Sequence, residues 1–299
     1  MEPCILNINE LSKSYGRIKA VDKLSLEIHK GEVFALLGPN GSGKTTTLGI
    51  VLGAIDLDGG SYQWFDEEFN STTLRRIGSI LEVPLFYPFM SATDNLKLIA
   101  DIKRISYDGI DEILTQVGLY QRRGSAFRTF SLGMKQRLAV GAALIGNPEV
   151  LILDEPTNGL DPQGIAEIRT LIKSIAEMGK TIILASHLLD EVQKICSHVA
   201  VLDHGKCLFT GRVDNMIGKT RMVEIAADDM NALLLELTAY EGVMNPFLID
   251  GYIKAELING TTPADLNNYL FGKGLIINHL TIEKISLEKY FLNILADTV

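Results

Sequence analysis

The run Gly38-Pro39-Asn40-Gly41-Ser42-Gly43-Lys44-Thr45-Thr46 constrains this chain more than any other stretch. It matches G-x-x-x-x-G-K-[ST] at every specified position. It follows the apolar run Val33-Phe34-Ala35-Leu36-Leu37 and leads into a segment that reads as a helix from Thr45 onward. Strand, glycine-rich loop and helix form the context in which backbone N–H groups converge on a phosphate. The glycines let those groups point inward, Lys44 brings a positive charge to the β/γ oxygens, and Thr45 offers its hydroxyl to Mg²⁺. The positive end of the helix adds a further favourable field. A glycine-rich turn with a chance lysine is the competing reading, and the loop alone does not separate ATP from GTP.

A second apolar run, Val150-Leu151-Ile152-Leu153, ends in the two carboxylates Asp154 and Glu155. Asp154 is placed to hold a magnesium ion through water, and Glu155 to orient or deprotonate an attacking water. Acids after a buried strand also cap helices, but beside a phosphate loop the pair points to nucleoside triphosphate hydrolysis. A third run, Thr181-Ile182-Ile183-Leu184-Ala185, follows a helical segment that ends at Gly179. Strands alternating with helices predict a doubly wound α/β fold with a parallel core.

Residues from about Ser91 to Gly146 are mostly helical by pattern, and the character of the chain changes again after Gly218. Met222–Ala226 reads as a strand, Asp229–Tyr240 as a helix, and Phe247–Ile258 as a hairpin around Asp250-Gly251. Pro263–Phe271 reads as a helix and Leu275–Ile282 as a strand. This β-α-β-β-α-β order suggests a small ferredoxin-like domain, followed by an apolar helix from Ser286 to Leu295. The expected division is a nucleotide-binding domain over 1–217, its helical subdomain at about 83–146, and an accessory domain over 218–299.

Composition narrows the function classes. A formal charge of −9 argues against a non-specific nucleic-acid binder, which needs a basic surface. Cys4, Cys196 and Cys207 are odd in number and lack ligand spacing, which fits free thiols in a reducing compartment. No uninterrupted apolar stretch reaches the roughly 20 residues of a spanning helix, so action at a membrane would require another chain to cross it.

Ser131-Leu132-Gly133-Met134-Lys135-Gln136-Arg137 opens a helix running to about Ile145, with Gly146 as its stop. Read alone it is a serine N-cap on an amphipathic helix. At this distance before the acidic strand it resembles the signature motif of ATP-binding cassette (ABC) proteins, and the resemblance extends over residues 4 to about 217. It implies a phosphate-loop ATPase core with antiparallel and helical subdomains. It also implies that Ser131 and Gly133 meet the γ-phosphate held by an opposite subunit.

The resemblance further implies that Tyr15 stacks on adenine, a residue otherwise readable as a tyrosine packed near a turn. Asn158-Gly159-Leu160-Asp161 resembles the loop that crosses the dimer interface, while Asp161 before Pro162 is equally a sound helix start. His187 matches the switch histidine that contacts the γ-phosphate. Phe86-Tyr87-Pro88-Phe89-Met90 lies where the family receives a coupling helix from its membrane subunit.

Two departures stand out. Glu82, in Ile77-Gly78-Ser79-Ile80-Leu81-Glu82, stands where the family usually has a metal-contacting Gln, and glutamate adds charge there. Leu132 and Met134 replace the signature's usual Gly and Gln. Glu82 and the phrase Phe130-Ser131-Leu132-Gly133-Met134 are similar to the subgroup that exports bacitracin-like and lantibiotic-like peptides.

The implied protein is an ATPase that uses ATP and Mg²⁺. It would pair with a second such subunit, because each motif occurs once. It would power a separate permease from the cytoplasmic face of the membrane, with no nucleic acid involved. A soluble cassette ATPase of translation or repair, or a regulatory module that closes on ATP without turnover, are the competing readings.

Overall fold

The computed structural model describes residues 2–81, 85–216 and 221–284. Glu82 and the expected helix Ser286–Leu295 therefore lie outside the described residues. The chain forms two compact units, Met1–Val213 and Asp214–Val299.

The first unit opens with two long strands, β1 (Cys4–Tyr15) and β2 (Ile18–His29), joined by a tight turn at Gly16. Buried Leu24, Leu26 and Ile28 alternate with exposed or half-buried neighbours, as one solvated sheet face requires. The next elements are β3 (Val33–Leu37), α1 (Lys44–Val51), β4 (Gly59–Trp64), α2 (Ser71–Arg75) and β5 (Ile77–Ile80). The helices α3 (Ala92–Lys103), α4 (Ile110–Gln116) and α5 (Leu132–Leu144) follow. The unit then returns to alternation with β6 (Val150–Asp154), α6 (Pro162–Glu177), β7 (Thr181–Ser186), α7 (Leu189–Ile195), β8 (His198–Asp203) and β9 (Lys206–Arg212).

Six strands form the central sheet in the order β5-β6-β7-β3-β8-β9, parallel except for the last pair. Every residue of β3, β6 and β7 is buried, because helices and the second sheet cover both faces. The second sheet, β2-β1-β4, is antiparallel. One apolar cluster runs from Leu6, Leu24 and Trp64 through Leu48 and Val51 of α1 to Phe34, Ile152 and Ala200 of the central sheet. Trp64 is fully buried, and its indole N–H donates to the Val51 carbonyl at 2.7 Å, which satisfies an acceptor at the end of α1. The α/β core expected from the strand–helix alternation is thus present, with antiparallel and helical additions.

Two close approaches place the signature segment. A Cβ at Gly78 on β5 would collide with the Ala143 carbonyl of α5, so the helix lies directly on the strand. At the same C-terminal end of α5, Lys103 of α3 donates to the Ile145 carbonyl at 3.1 Å, and burial holds its ammonium below the usual lysine range. Cys4, Cys196 and Cys207 are free, and burial pushes all three thiols up.

The helix α8 (Val213–Met216) begins as the first unit ends. The second unit contains β10 (Arg221–Ala227), α9 (Met230–Ala239), β11 (Val243–Ile249), β12 (Tyr252–Leu257), α10 (Pro263–Gly272) and β13 (Ile277–Lys284). Its strands form an antiparallel sheet in the order β11-β12-β10-β13. Asp229 caps α9, and Thr262 with Asp265 makes a capping box on α10 just before Pro263. The hairpin begins earlier than the sequence pattern suggests, at Val243, with Pro246 inside β11. β11 is an edge strand with a register shift between Met244 and Phe247, where a missing N–H is tolerated.

Candidate functional site

The phosphate loop leaves the end of β3 and is pinned at both ends. Gly38 N–H donates to the Ser186 carbonyl at 3.3 Å, and Gly205 N–H donates to the Ser42 carbonyl at 3.1 Å. Gly41 has φ 82° and Gly43 φ 105°, a conformation that favours glycine. Gly43 is the N-cap of α1 and supplies no side chain to it, so the helix's first N–H groups are left to a ligand. A Cβ at Gly43 would also collide with the Ala20 carbonyl. Gly43→Ala is therefore expected to cost about 2–4 kcal/mol, from left-handed strain plus the backbone clash. Urea unfolding of the two proteins checks this, and an unchanged midpoint would refute it.

Lys44 is the first residue of α1 and only 5% exposed. Its ammonium donates to the carbonyls of Gly38 at 2.8 Å and Pro39 at 3.1 Å, and lies 3.6 Å from Glu155 Oε1. Beside it the Thr45 hydroxyl donates to Asp154 Oδ2 at 2.7 Å, with Asp154 buried at the end of β6. Ser42 is 1% exposed, and its hydroxyl has no hydrogen-bond partner among the described residues. A buried, unsatisfied hydroxyl inside a glycine loop suits a polyanion that would accept from it.

The Thr45 hydroxyl and Asp154 carboxylate are hard oxygen donors, the kind Mg²⁺ selects. That ion takes few protein ligands and completes its shell with water and phosphate oxygens. Among the described residues no group of three or more His, Cys, Asp and Glu is placed to hold a metal. The donor set therefore fits a nucleotide-borne magnesium better than an all-protein metal cage.

Glu155 follows β6 in the left-handed region, at φ 46°. Its N–H donates to the Ala185 carbonyl at 3.0 Å, which ties the turn to β7. One carboxylate oxygen faces Lys44, and the other lies 2.8 Å from His187 Nδ1. His187 stands just beyond β7, where the Ser186 hydroxyl accepts from Leu188 N–H at 3.0 Å and shapes the turn. Lys44, Thr45, Asp154, Glu155 and His187 thus form one connected cluster at the carboxyl ends of parallel strands, the usual ligand position in such sheets.

The other expected residues lie apart from that cluster. Tyr15 is 50% exposed at the end of β1, with Lys13 Nζ 5.8 Å from its ring centroid. The Ser131 hydroxyl caps α5 by accepting from Met134 N–H at 3.3 Å, and a Cβ on Gly133 would meet open space. Asp161 caps α6, accepting from Gly164 N–H at 2.8 Å. Among the described residues, no hydrogen bond joins Tyr15, Ser131, Gly133 or Asp161 to the phosphate loop. In the loop 86–90, Phe86 packs on Phe127 at 5.0 Å between centroids, whereas Tyr87 and Phe89 are exposed. Ser186 is a site residue that the sequence pattern does not single out, because it reads there only as a strand end.

An ABC transporter family profile matches residues 21–158. The chain is 38% identical to the bacitracin transport ATP-binding protein BcrA of Bacillus licheniformis over 299 residues, covering 98% of this chain and 97% of that protein. It is 41% identical to the lantibiotic transport ATP-binding protein SrtF of Streptococcus pyogenes over 210 residues, 70% of this chain and 92% of that one. Among solved structures, cbiO1 from Clostridium perfringens, part of the ABC transporter complex cbiONQ, is similar with a TM-score of 0.66 and 29% identity. That match covers 73% of this chain and 92% of the other.

Proposed function

This chain belongs to the family of ATP-hydrolysing, ATP-binding subunits of ABC transporters, and from that premise we propose that it drives peptide export through a separate permease. The exported class would be bacitracin-like or lantibiotic-like peptides, the molecules named for its relatives. The observation that carries the catalytic part is the Glu155 carboxylate, held between Lys44 and His187 beside the phosphate loop.

Backbone N–H groups of Gly41–Thr46 and the Lys44 ammonium would hold the phosphates, and Tyr15 would cover adenine. Thr45 and Asp154 would hold Mg²⁺, which neutralises phosphate charge when bound, and Glu82 is assigned to the same ion. Glu155 would accept the proton of the attacking water, because its carboxylate is oriented by Lys44 and His187 while its Oε1 accepts no hydrogen bond among the described residues. His187 would hold that carboxylate and donate to the γ-phosphate.

Ser131, Gly133 and Asp161 would act across a dimer of two such chains. Ser131 and Asp161 cap α5 and α6, Gly133 lies in the first turn of α5, and the N-terminus of α5 with its Ser131 cap is suited to an anion brought by a second copy. The nucleotide-binding domain is assigned to residues 1–217 and an accessory domain to 218–299. Among the described residues no helix is long and apolar enough to cross a membrane, so attachment to the cytoplasmic face is assigned to the permease.

Dimerisation gives the direct test. With ATP and Mg²⁺, the Glu155→Gln protein is expected to sediment as a dimer and the wild type mainly as a monomer. Adding Ser131→Arg, which places a bulky side chain at the α5 cap, is expected to keep the Glu155→Gln protein monomeric. An ATP-independent state in all three proteins would sink the shared-site reading. Recovery from membranes under mild extraction without a spanning partner would sink the permease assignment.

A further inference from the structure

His187 lies on a short connection between β7, locked in the central sheet, and α7, which is only seven residues long. The N-cap of α7, Leu188, gives it no side-chain hydrogen bond. With β7 fixed, the remaining freedom of the histidine is the freedom of α7 to tilt or slide.

One ion pair, with Glu191 buried and Arg169 half-buried, restrains that freedom. Arg169 of α6 donates from Nη1 to Glu191 Oε1 of α7 at 3.0 Å, and Lys194 Nζ stands 3.9 Å from the same oxygen. Glu191 is 6% exposed, and its Oε2 has no hydrogen-bond partner among the described residues. A buried, incompletely satisfied carboxylate is a poor source of stability, since apolar residues of similar volume often do as well or better. Its value here lies in direction: it couples two helices at one point.

The same helix α6 starts from the Asn158–Asp161 turn and is paired on its other side with α5, where Arg137 Nε lies 3.6 Å from Glu167 Oε2. Arg169 and Glu191 therefore reference the histidine segment to the helix that also touches the signature helix.

We propose that Arg169 and Glu191 are positioning residues for hydrolysis, clamping α7 to α6 so that the His187 imidazole stays within reach of Glu155. They touch neither the phosphate loop nor the Glu155 carboxylate, and act only through the placement of His187. The inference rests on the assignment of His187 to the reaction.

The decisive variant in the full-length chain is Arg169→Met/Glu191→Met, which keeps packing volume and removes the clamp without stranding a charge. Turnover is expected to fall about tenfold, as misplacement of a catalytic group does, while KM for ATP changes less than about twofold and the melting midpoint holds. Arg169→Lys, which preserves the charge, is expected to keep more than about half of wild-type turnover.

Wild-type turnover in the double variant overturns the inference. So does a loss matched by a fall in melting midpoint, which marks a purely structural pair. A loss in Arg169→Lys as deep as in the double variant overturns it as well. His187→Ala is measured alongside. If His187→Ala loses turnover while the double variant keeps it, only the clamp fails. If His187→Ala hydrolyses like wild type, the histidine assignment fails, and the clamp's route with it.

Discussion

Glu155→Gln is expected to lower steady-state ATP turnover by about 10²–10³-fold, with KM for ATP little changed. Glutamine has the same shape but only one acceptor oxygen, so it can keep the 2.8 Å contact with His187 Nδ1 while its NH2 takes the place of the oxygen that faces Lys44 at 3.6 Å. What it cannot do is take a proton from water. The variant thus separates removal of a base from removal of packing. Initial rates over a range of ATP concentrations check it. Turnover within about threefold of wild type would reject Glu155 as the base, because general-base removal is worth far more than that.

Lys44→Ala acts one step earlier, on binding. The ammonium is nearly inaccessible to water and is aimed at the Gly38 and Pro39 carbonyls, inside the loop that would carry the phosphates. Charge-assisted hydrogen bonds contribute about 1.5–3 kcal/mol, so ATP affinity is expected to weaken by about 10–150-fold. Loss of the cation also leaves Glu155 without its positive neighbour. Titration calorimetry with ATP gives the measurement, and Lys44→Met serves as a control that retains the buried aliphatic stem. Unchanged affinity in both proteins would remove Lys44 from the phosphate site.

The positions of the candidate site are legible in the sequence because local geometry dictates them. A glycine loop between strand and helix, and acids at the end of an all-apolar strand, have meaning at fixed spacing without tertiary information. The partnerships were not legible. Thr45 and Asp154 are 109 positions apart, and Glu155 and His187 are 32 apart. Only the packing of β3, β6 and β7 side by side brings them together.

The sequence pattern starts the hairpin at Phe247 whereas β11 starts at Val243 and runs through Pro246, since the pattern cannot reveal that a strand lies at an edge. Arg169 and Glu191 carried no signal, because a charged residue on an amphipathic helix reads as solvent-facing until its neighbour is known. For Ser131 and Asp161, the structure gives the helix-capping half of the two readings that the sequence left open.

The left-handed backbone at Glu155 has an evolutionary consequence. A non-glycine residue at φ 46° carries local strain, about 1 kcal/mol or more, that glycine or asparagine would relieve. Random mutagenesis scored only by resistance to heat should therefore enrich Gly or Asn at 155, the substitutions that discard the carboxylate. Selection for durability and selection for turnover pull this position in opposite directions. A thermostable lineage of this chain is safe for transport only if position 155 is held out of the library.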